Sequence, residues 1–450
     1  VESESTEVIE EYNPWWVSKE RINEVEVYRK YEESEVRWVP DVIKKVSLSP
    51  YSLNFIFGPR QVGKSTALIL LIKRLLEEGR ANPKSIFYFS CDKLADYKEL
   101  DEIIGEYMKF KRANNVSSSF IFLDEITYPR EWYRALKSRI DRGDFRNDVL
   151  VVTGSLSMSA KREIETFPGR RGGGKNLLML PLPFSKYAEL FNVDIQKGDL
   201  GFVLSNYARN SHFMRELNDL LEKYLVTGGF PNAIRDYVKY GKVSGGTISD
   251  FVSSVVSEVN KLRRSETFLK LTIKGIIERA SSDFSYHTLS RSFGVGTVKT
   301  AISYVELLQK LYLLEVLNQV DLQGNVLTRK EKKFYFVDPF IYRAFAAWTL
   351  TGLPDESKLV EGVVVSHLSR AYDTFYTKER GEIDVVIKSG GEMIGFEVKF
   401  GRVKAEKRVL GRMRRVYVLS KDEVGDNVIP VSIFLGMLDV PQTTELKVLV

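Results

Sequence analysis

Leu53-Asn54-Phe55-Ile56-Phe57, running directly into Gly58-Pro59-Arg60-Gln61-Val62-Gly63-Lys64-Ser65-Thr66, decides how this chain is read. The first five residues form an apolar run of the length a buried strand needs, and Ser65 to Glu78 repeats apolar residues at helical spacing. Between them stands G-x-x-x-x-G-K-[ST], in the strand-to-helix setting that a phosphate-cradling loop requires. Gly58 and Gly63 let the backbone curl so that successive N–H groups face phosphate oxygens, with Pro59, Arg60, Gln61, Val62 and Thr66 completing the cradle. Lys64 reaches the β- and γ-phosphates, Ser65 suits Mg²⁺, and the dipole of the helix favours the bound anion. The alternative is a chance glycine turn, and the flanking strand and helix argue against it.

Outward from this loop, apolar runs at 86–89, 120–123 and 149–152 alternate with helical stretches, which predicts a parallel sheet covered by helices. The run 120–123 ends in Asp124-Glu125, at the carboxyl edge where such sheets bind ligands. There Asp124 would position the metal through water, and Glu125 would orient and polarise the water attacking the γ-phosphate. The next strand ends in Thr153-Gly154-Ser155, whose hydroxyls either sense the γ-phosphate or close an ordinary strand-end turn. After Pro181 and Pro183 the pattern turns helical, broken by Gly228, Gly229 and Pro231. Residues 268–317 predict three short amphipathic helices with a helix-turn-helix, and 318–336 a β-wing. The expected class is thus α/β and multidomain. It comprises an acidic leader (1–40), a P-loop ATPase domain (41–180), a helical lid (181–265), a winged-helix-like domain (266–350) and a C-terminal α/β domain (351–450).

With 44% hydrophobic and 28% charged residues over 450 positions, the chain reads as ordinary globular protein with about three cores, not a disordered or fibrous one. The longest nearly uncharged apolar stretch near the C-terminus, 428–438, is too short to span a bilayer, so no membrane partner is expected. The start lacks the basic and apolar segments of a secretory signal, and a lone Cys91 makes no intrachain disulfide, which points to a reducing cytoplasm. Net charge is only +6, but it is unevenly spread. Residues 1–35 hold eleven Glu against four basic residues, whereas 399–415 hold eight basic residues against one Glu. The basic end is either a phosphate-binding surface or a solvated face. Trp15 and Trp16 in the leader are expected to pack on a neighbour, and Trp132 and Tyr133 to anchor a helix. His212, His287 and His367 lie too far apart in sequence for a zinc site to be assigned.

The segments GPRQVGKST (58–66), FLDEI (122–126), TGSLS (153–157), PLPFSKY (181–187) and GGFPNAI (228–234) resemble those of archaeal and bacterial AAA-type P-loop ATPases that carry a C-terminal domain of uncharacterised function. The resemblance implies ATP and Mg²⁺ as cofactors. It also implies a positive side chain that completes γ-phosphate sensing, for which Arg170 is the candidate, in its own subunit or across a boundary. AAA-type modules often assemble into rings, which keeps an oligomer open.

In the last hundred residues, Glu382-Ile383-Asp384 opens one strand and Gly395-Phe396-Glu397-Val398-Lys399 forms its hairpin partner after a Ser-Gly-Gly turn. Alternation puts Glu397 and Lys399 on one face, with Val398 directed to the core. This arrangement resembles the PD-(D/E)XK nuclease fold, which implies a metal held by Glu361, Asp384 and Glu397 beside Lys399, and DNA contact by the basic segment 402–415. E-x-K alternation is also common on solvated strands, and fold and cleavage are separate claims. Three functions follow: an ATPase coupling nucleotide state to DNA or partner binding, a nucleotide-switched signalling protein with a silent nuclease-like domain, and an ATP-gated DNA nuclease. The presumed recognition helix, 296–308, holds a single basic residue, Lys299, a poor face for phosphates, so internal packing or partner docking stands beside groove reading.

Overall fold

A computed structural model of the chain describes residues 2–155, 167, 169–400 and 413–446. It confirms a mixed α/β, multidomain architecture and divides into two compact units, Val1–Leu180 with Gln442–Val450, and Pro181–Pro441.

The first unit is built on β1 (Ser52–Phe57), β2 (Ile86–Ser90), β3 (Phe120–Asp124), β4 (Val149–Gly154) and β5 (Asn176–Met179). They are all parallel, in the order β5-β1-β4-β3-β2. Every residue of β1 and β4 is buried, which is why both read as continuous apolar runs without alternation. Crossovers between parallel neighbours need helices, and Lys64–Glu77, Tyr97–Ala113 and Tyr133–Arg142 supply them.

Both edges of this sheet are closed. Beside β2 the acidic leader lies in place of a further strand: Asn13 accepts from the Tyr88 N–H at 2.7 Å and donates to its carbonyl at 2.9 Å. The indoles of Trp15 and Trp16 both donate to the Ile86 carbonyl. These bonds satisfy backbone groups that an open edge would leave as a template for aggregation. At the other edge Thr443–Glu445 pairs antiparallel with β5, so this last strand belongs to the first sheet although the sequence pattern groups it with 351–450.

The second unit carries β6 (Leu314–Val320), β7 (Val326–Phe336), β8 (Asp373–Thr377), β9 (Ile383–Ser389), β10 (Glu392–Lys399), β11 (Met413–Ser420) and β12 (Val428–Pro430). Their order is β12-β11-β10-β9-β8-β6-β7. Helices Glu266–Glu278, Tyr286–Ser292 and Val298–Lys310 precede the β6–β7 hairpin, in the order expected for a winged helix. The hairpin is more than a wing, because β6 also pairs with β8 and joins the C-terminal strands in one sheet. The expected β9–β10 hairpin is present.

The PLPF and GGFP segments meet at one buried node. The Leu182 N–H donates to the Gly229 carbonyl, and the Tyr224 hydroxyl to the Leu182 carbonyl. A Cβ on Gly229 would sit 2.2 Å from the Leu182 backbone, so only glycine lets the two segments approach. Asp338 ties the node down by accepting from the Gly229 and Phe340 N–H groups at 2.9 and 2.8 Å. His367 accepts from the Phe184 N–H at 2.9 Å, and burial pulls its pKa down to about 3, which keeps the ring neutral.

Burial pushes the Asp338 carboxyl up to about 7. A carboxyl whose folded pKa lies above its unfolded value stabilises the fold fully below the unfolded pKa, near 4, and loses that contribution as pH rises through 7. Glu361, also raised to about 7 by burial and by Asp384, acts in the same direction. The unfolding midpoint of the wild-type chain is therefore expected to fall between pH 5 and pH 8, and that of Asp338→Asn to fall less steeply. Equal slopes in calorimetric melts of the two proteins would show that Asp338 carries none of this dependence.

Candidate active site

In β1 and β4, Ile56 pairs with Thr153 and Phe57 with Gly154, and in β3 and β4, Leu123 pairs with Val152. This register brings the phosphate loop after β1, Asp124 and Glu125 after β3, and Ser155 after β4 to a single carboxyl edge. The helix begins at Lys64, one residue after Gly63, which takes the left-handed conformation (φ 107°) that a side chain disfavours. Gly58 is required for a second reason: a Cβ there would lie 2.1 Å from the Met179 carbonyl oxygen of β5. Lys64 is buried, with its ammonium donating to the Gly58 and Pro59 carbonyls at 3.0 and 2.8 Å, so its charge is held under the loop. Val62 is fully buried and anchors the loop from below, while Arg60, Gln61, Ser65 and Thr66 are half-buried along it.

Asp124 is 2% exposed and accepts hydrogen bonds from the hydroxyls of Ser65, Thr153 and Tyr88. Burial, and then the neighbouring Glu125, raise its carboxyl above the usual range, against the pull of the three hydroxyls. A carboxylate that is costly to ionise beside a phosphate loop fits a cation, which would offset both effects. Ser65 and Asp124 would hold that Mg²⁺, and when bound there the ion supplies charge neutralisation for phosphate oxygens.

Glu125 is held in an uncommon backbone conformation (φ 52°) while its N–H donates to the Thr153 hydroxyl at 3.0 Å. Its carboxylate pairs with the Arg60 guanidinium at 2.9 Å, and Arg60 also donates to the Ser155 hydroxyl at 3.3 Å. Ser155 thus lies at this edge, buried, beside the loop. Tyr88 was not anticipated as a site residue. A phenol hydroxyl inside the apolar strand IFYFS, one strand away from Asp124, was the signal available. Cys91 is fully buried, and burial, followed by Asp124, pushes its thiol well up, so no reactive thiolate forms.

Arg170 lies away from this edge of its own chain. Gly172 bridges Ser52 antiparallel, and the Leu53 N–H donates to the Arg171 carbonyl, which sets this segment at the amino edge of β1. There Arg170 pairs with Asp141 at 2.8 Å. Six-residue β1 separates the two edges by about 17 Å, so Arg170 does not reach the phosphate loop of its own chain. Trp132 is buried against Phe55 and Phe167, in the place of a helix anchor.

In the second unit the nuclease-like residues are arranged differently from a three-carboxylate metal cluster. Among the described residues, no three of His, Cys, Asp and Glu converge on a point that could hold a metal ion. Glu361, on helix Glu356–Ser369, faces the fully buried Lys333 of β7, whose ammonium lies 3.5 Å from Glu361, 3.3 Å from Asp384 and 2.8 Å from Glu382. Burial opposes the charge of Lys333, but Glu361, Asp384 and Glu382 outweigh it and hold its pKa up. Tyr335 also donates to Glu361. Asp384 accepts from the Val398 N–H at 3.0 Å, while Glu397, buried, pairs with Lys399 at 2.7 Å. Glu397 and Lys399 do share a face, but Glu397 is the buried one and Val398 only half-buried, the reverse of the expected sides. The basic segment 402–415 lies mostly outside the described residues. Lys333→Met would leave Glu361 and Asp384 facing each other without their counter-charge, and is expected to cost about 3 kcal/mol of unfolding free energy in denaturant titration.

Comparison with known proteins supports the first unit. The family model described as the AAA domain matches residues 51–188, and a domain of unknown function matches 218–353. Residues 51–188 are an AAA-type P-loop domain. An uncharacterised protein of Methanocaldococcus jannaschii is 25% identical over 433 residues, covering 89% of this chain and 88% of its own. An uncharacterised protein of Haemophilus influenzae is 23% identical, covering 77% of this chain and 82% of its own. Among solved structures, Aeropyrum pernix Orc1 in complex with DNA is similar at 16% identity and a TM-score of 0.32, covering 74% of this chain and 96% of that one. Pyrobaculum aerophilum Cdc6p is similar at 10% identity and 0.25, covering 66% and 88%. At scores this low neither structure bears on function. No helix of the described residues is long and apolar enough to cross a membrane.

Proposed function

We propose that this protein is a Mg²⁺-dependent ATPase whose nucleotide state governs the binding of DNA or a protein partner by the second unit. The observation that carries the proposal is Asp124: a buried carboxylate at the tip of β3, bonded by the phosphate-loop Ser65, beside a Glu125 whose backbone N–H is held by Thr153. Lys64 and the loop N–H groups bind and orient the triphosphate, and Glu125 accepts the proton of the water that attacks the γ-phosphate. Thr153 holds the backbone of Glu125 through its N–H. Cytoplasmic location, and an oligomer in which Arg170 acts on a neighbouring copy, belong to the same proposal.

A nuclease-like second unit that binds without cutting is favoured by Lys333, whose ammonium already balances Glu361, Asp384 and Glu382. The test combines two assays on the full chain. Fluorescence anisotropy with single-stranded, duplex and branched DNA, in ATP, ADP or no nucleotide, is expected to show nucleotide-dependent affinity that weakens with salt. Incubation of the same DNAs with Mg²⁺ or Mn²⁺ is expected to leave them intact. Cleavage by the wild type that is lost in Glu397→Ala would instead establish an ATP-gated nuclease. DNA affinity indifferent to nucleotide would transfer the coupling to a protein partner.

A further inference from the structure

The guanidinium of Arg60 is placed where three strand ends meet. It leaves the phosphate loop after β1, pairs with the carboxylate of Glu125 after β3 at 2.9 Å, and donates to the hydroxyl of Ser155 after β4 at 3.3 Å. Both partners of the ion pair are about one-fifth exposed, so the attraction is less screened than at an open surface. Glu125 is in turn directed by its own backbone, whose N–H is held by Thr153. The carboxylate expected to take a proton from water therefore has a cation as its partner.

A nucleoside triphosphate delivers several negative charges to the same loop, and they compete with Glu125 for this guanidinium. We propose that Arg60 is a latch: it holds Glu125 while the loop is without triphosphate, and releases it when Arg60 turns to the phosphates. Arg60 is then a positioning residue that links nucleotide occupancy to the readiness of the base. The inference rests on the ATPase reading above and adds to it the order in which the site assembles.

The test is a double-mutant cycle on the affinity of the full chain for the non-hydrolysable analogue AMP-PNP with Mg²⁺, using wild type, Arg60→Ala, Glu125→Gln and the double variant. If the pair must break for the analogue to bind, Glu125→Gln tightens binding about fivefold in the wild-type background, by removing the ion pair with Arg60. The gain is expected to shrink or vanish when Arg60 is alanine. Simple repulsion between Glu125 and phosphate makes the opposite forecast, because an unpaired Glu125 repels more strongly and its removal then helps at least as much. An equal or larger gain in the Arg60→Ala background overturns the latch while leaving the ATPase reading intact. Failure of the wild type to bind the analogue overturns that reading and the latch together. Thermal melts of the four proteins without nucleotide confirm that each is folded, and Arg60→Lys, which keeps the charge, is expected to restore part of the coupling.

Discussion

Lys64→Ala is expected to weaken Mg·ATP binding by at least about a hundredfold, to below detection in most titrations. Charged hydrogen bonds are worth roughly 1.5–3 kcal/mol each, and the ammonium of Lys64 now donates to the Gly58 and Pro59 carbonyls of the loop. Phosphate oxygens can replace those carbonyls as acceptors without moving the helix, since Lys64 is already buried beneath the loop. Alanine removes the charge and also the bonds to the Gly58 and Pro59 carbonyls that help hold the loop in shape. A melt without nucleotide therefore accompanies the titration by calorimetry, and a folded variant with unchanged ATP affinity would refute the phosphate-loop assignment.

Glu125→Gln separates binding from chemistry. Glutamine keeps the size of the side chain and leaves the backbone bond to Thr153 untouched, but it cannot accept a proton from water. A positioned general base contributes about 10²- to 10⁴-fold, so turnover is expected to fall by at least about a hundredfold while ATP binding is retained. Since the substitution also dissolves the ion pair with Arg60, affinity should rise and not fall. Steady-state hydrolysis measured beside equilibrium binding distinguishes these effects. Wild-type turnover in the variant would remove Glu125 from the mechanism.

The parts of this site that are local in sequence were legible in it. The loop, the run 120–123 and its terminal Asp124-Glu125 each follow from a few consecutive residues and the periodicity around them. What joins distant residues was not. The resemblance offers Arg170 for γ-phosphate sensing, and nothing in its glycine-rich surroundings in the sequence says where the segment packs. Its glycines serve for close packing, since a Cβ on Gly172 or Gly174 would lie 2.2 or 2.0 Å from the carbonyl oxygens of Tyr51 and Leu53. That approach carries Arg170 to the far edge of β1. Lys333 was hidden for a similar reason: in TRKEKKFYF it looks like one more charge on a solvated strand, yet it is fully buried. Only the fold reveals that Glu361, from a helix, and Asp384, from β9, face it. The GGFP and PLPF motifs were recognisable as signatures, but their meaning, a glycine that lets two backbones touch beneath Asp338, required the coordinates.

The central claim is that the first unit hydrolyses ATP with Mg²⁺ through Glu125. Its most direct test is single-turnover release of inorganic phosphate from ATP by the full wild-type chain in excess, with Mg²⁺ and with EDTA. Phosphate released only with the metal, and slowed at least about a hundredfold in Glu125→Gln, is the predicted result. ATP that binds the wild type and is recovered intact in the presence of Mg²⁺ would contradict the account.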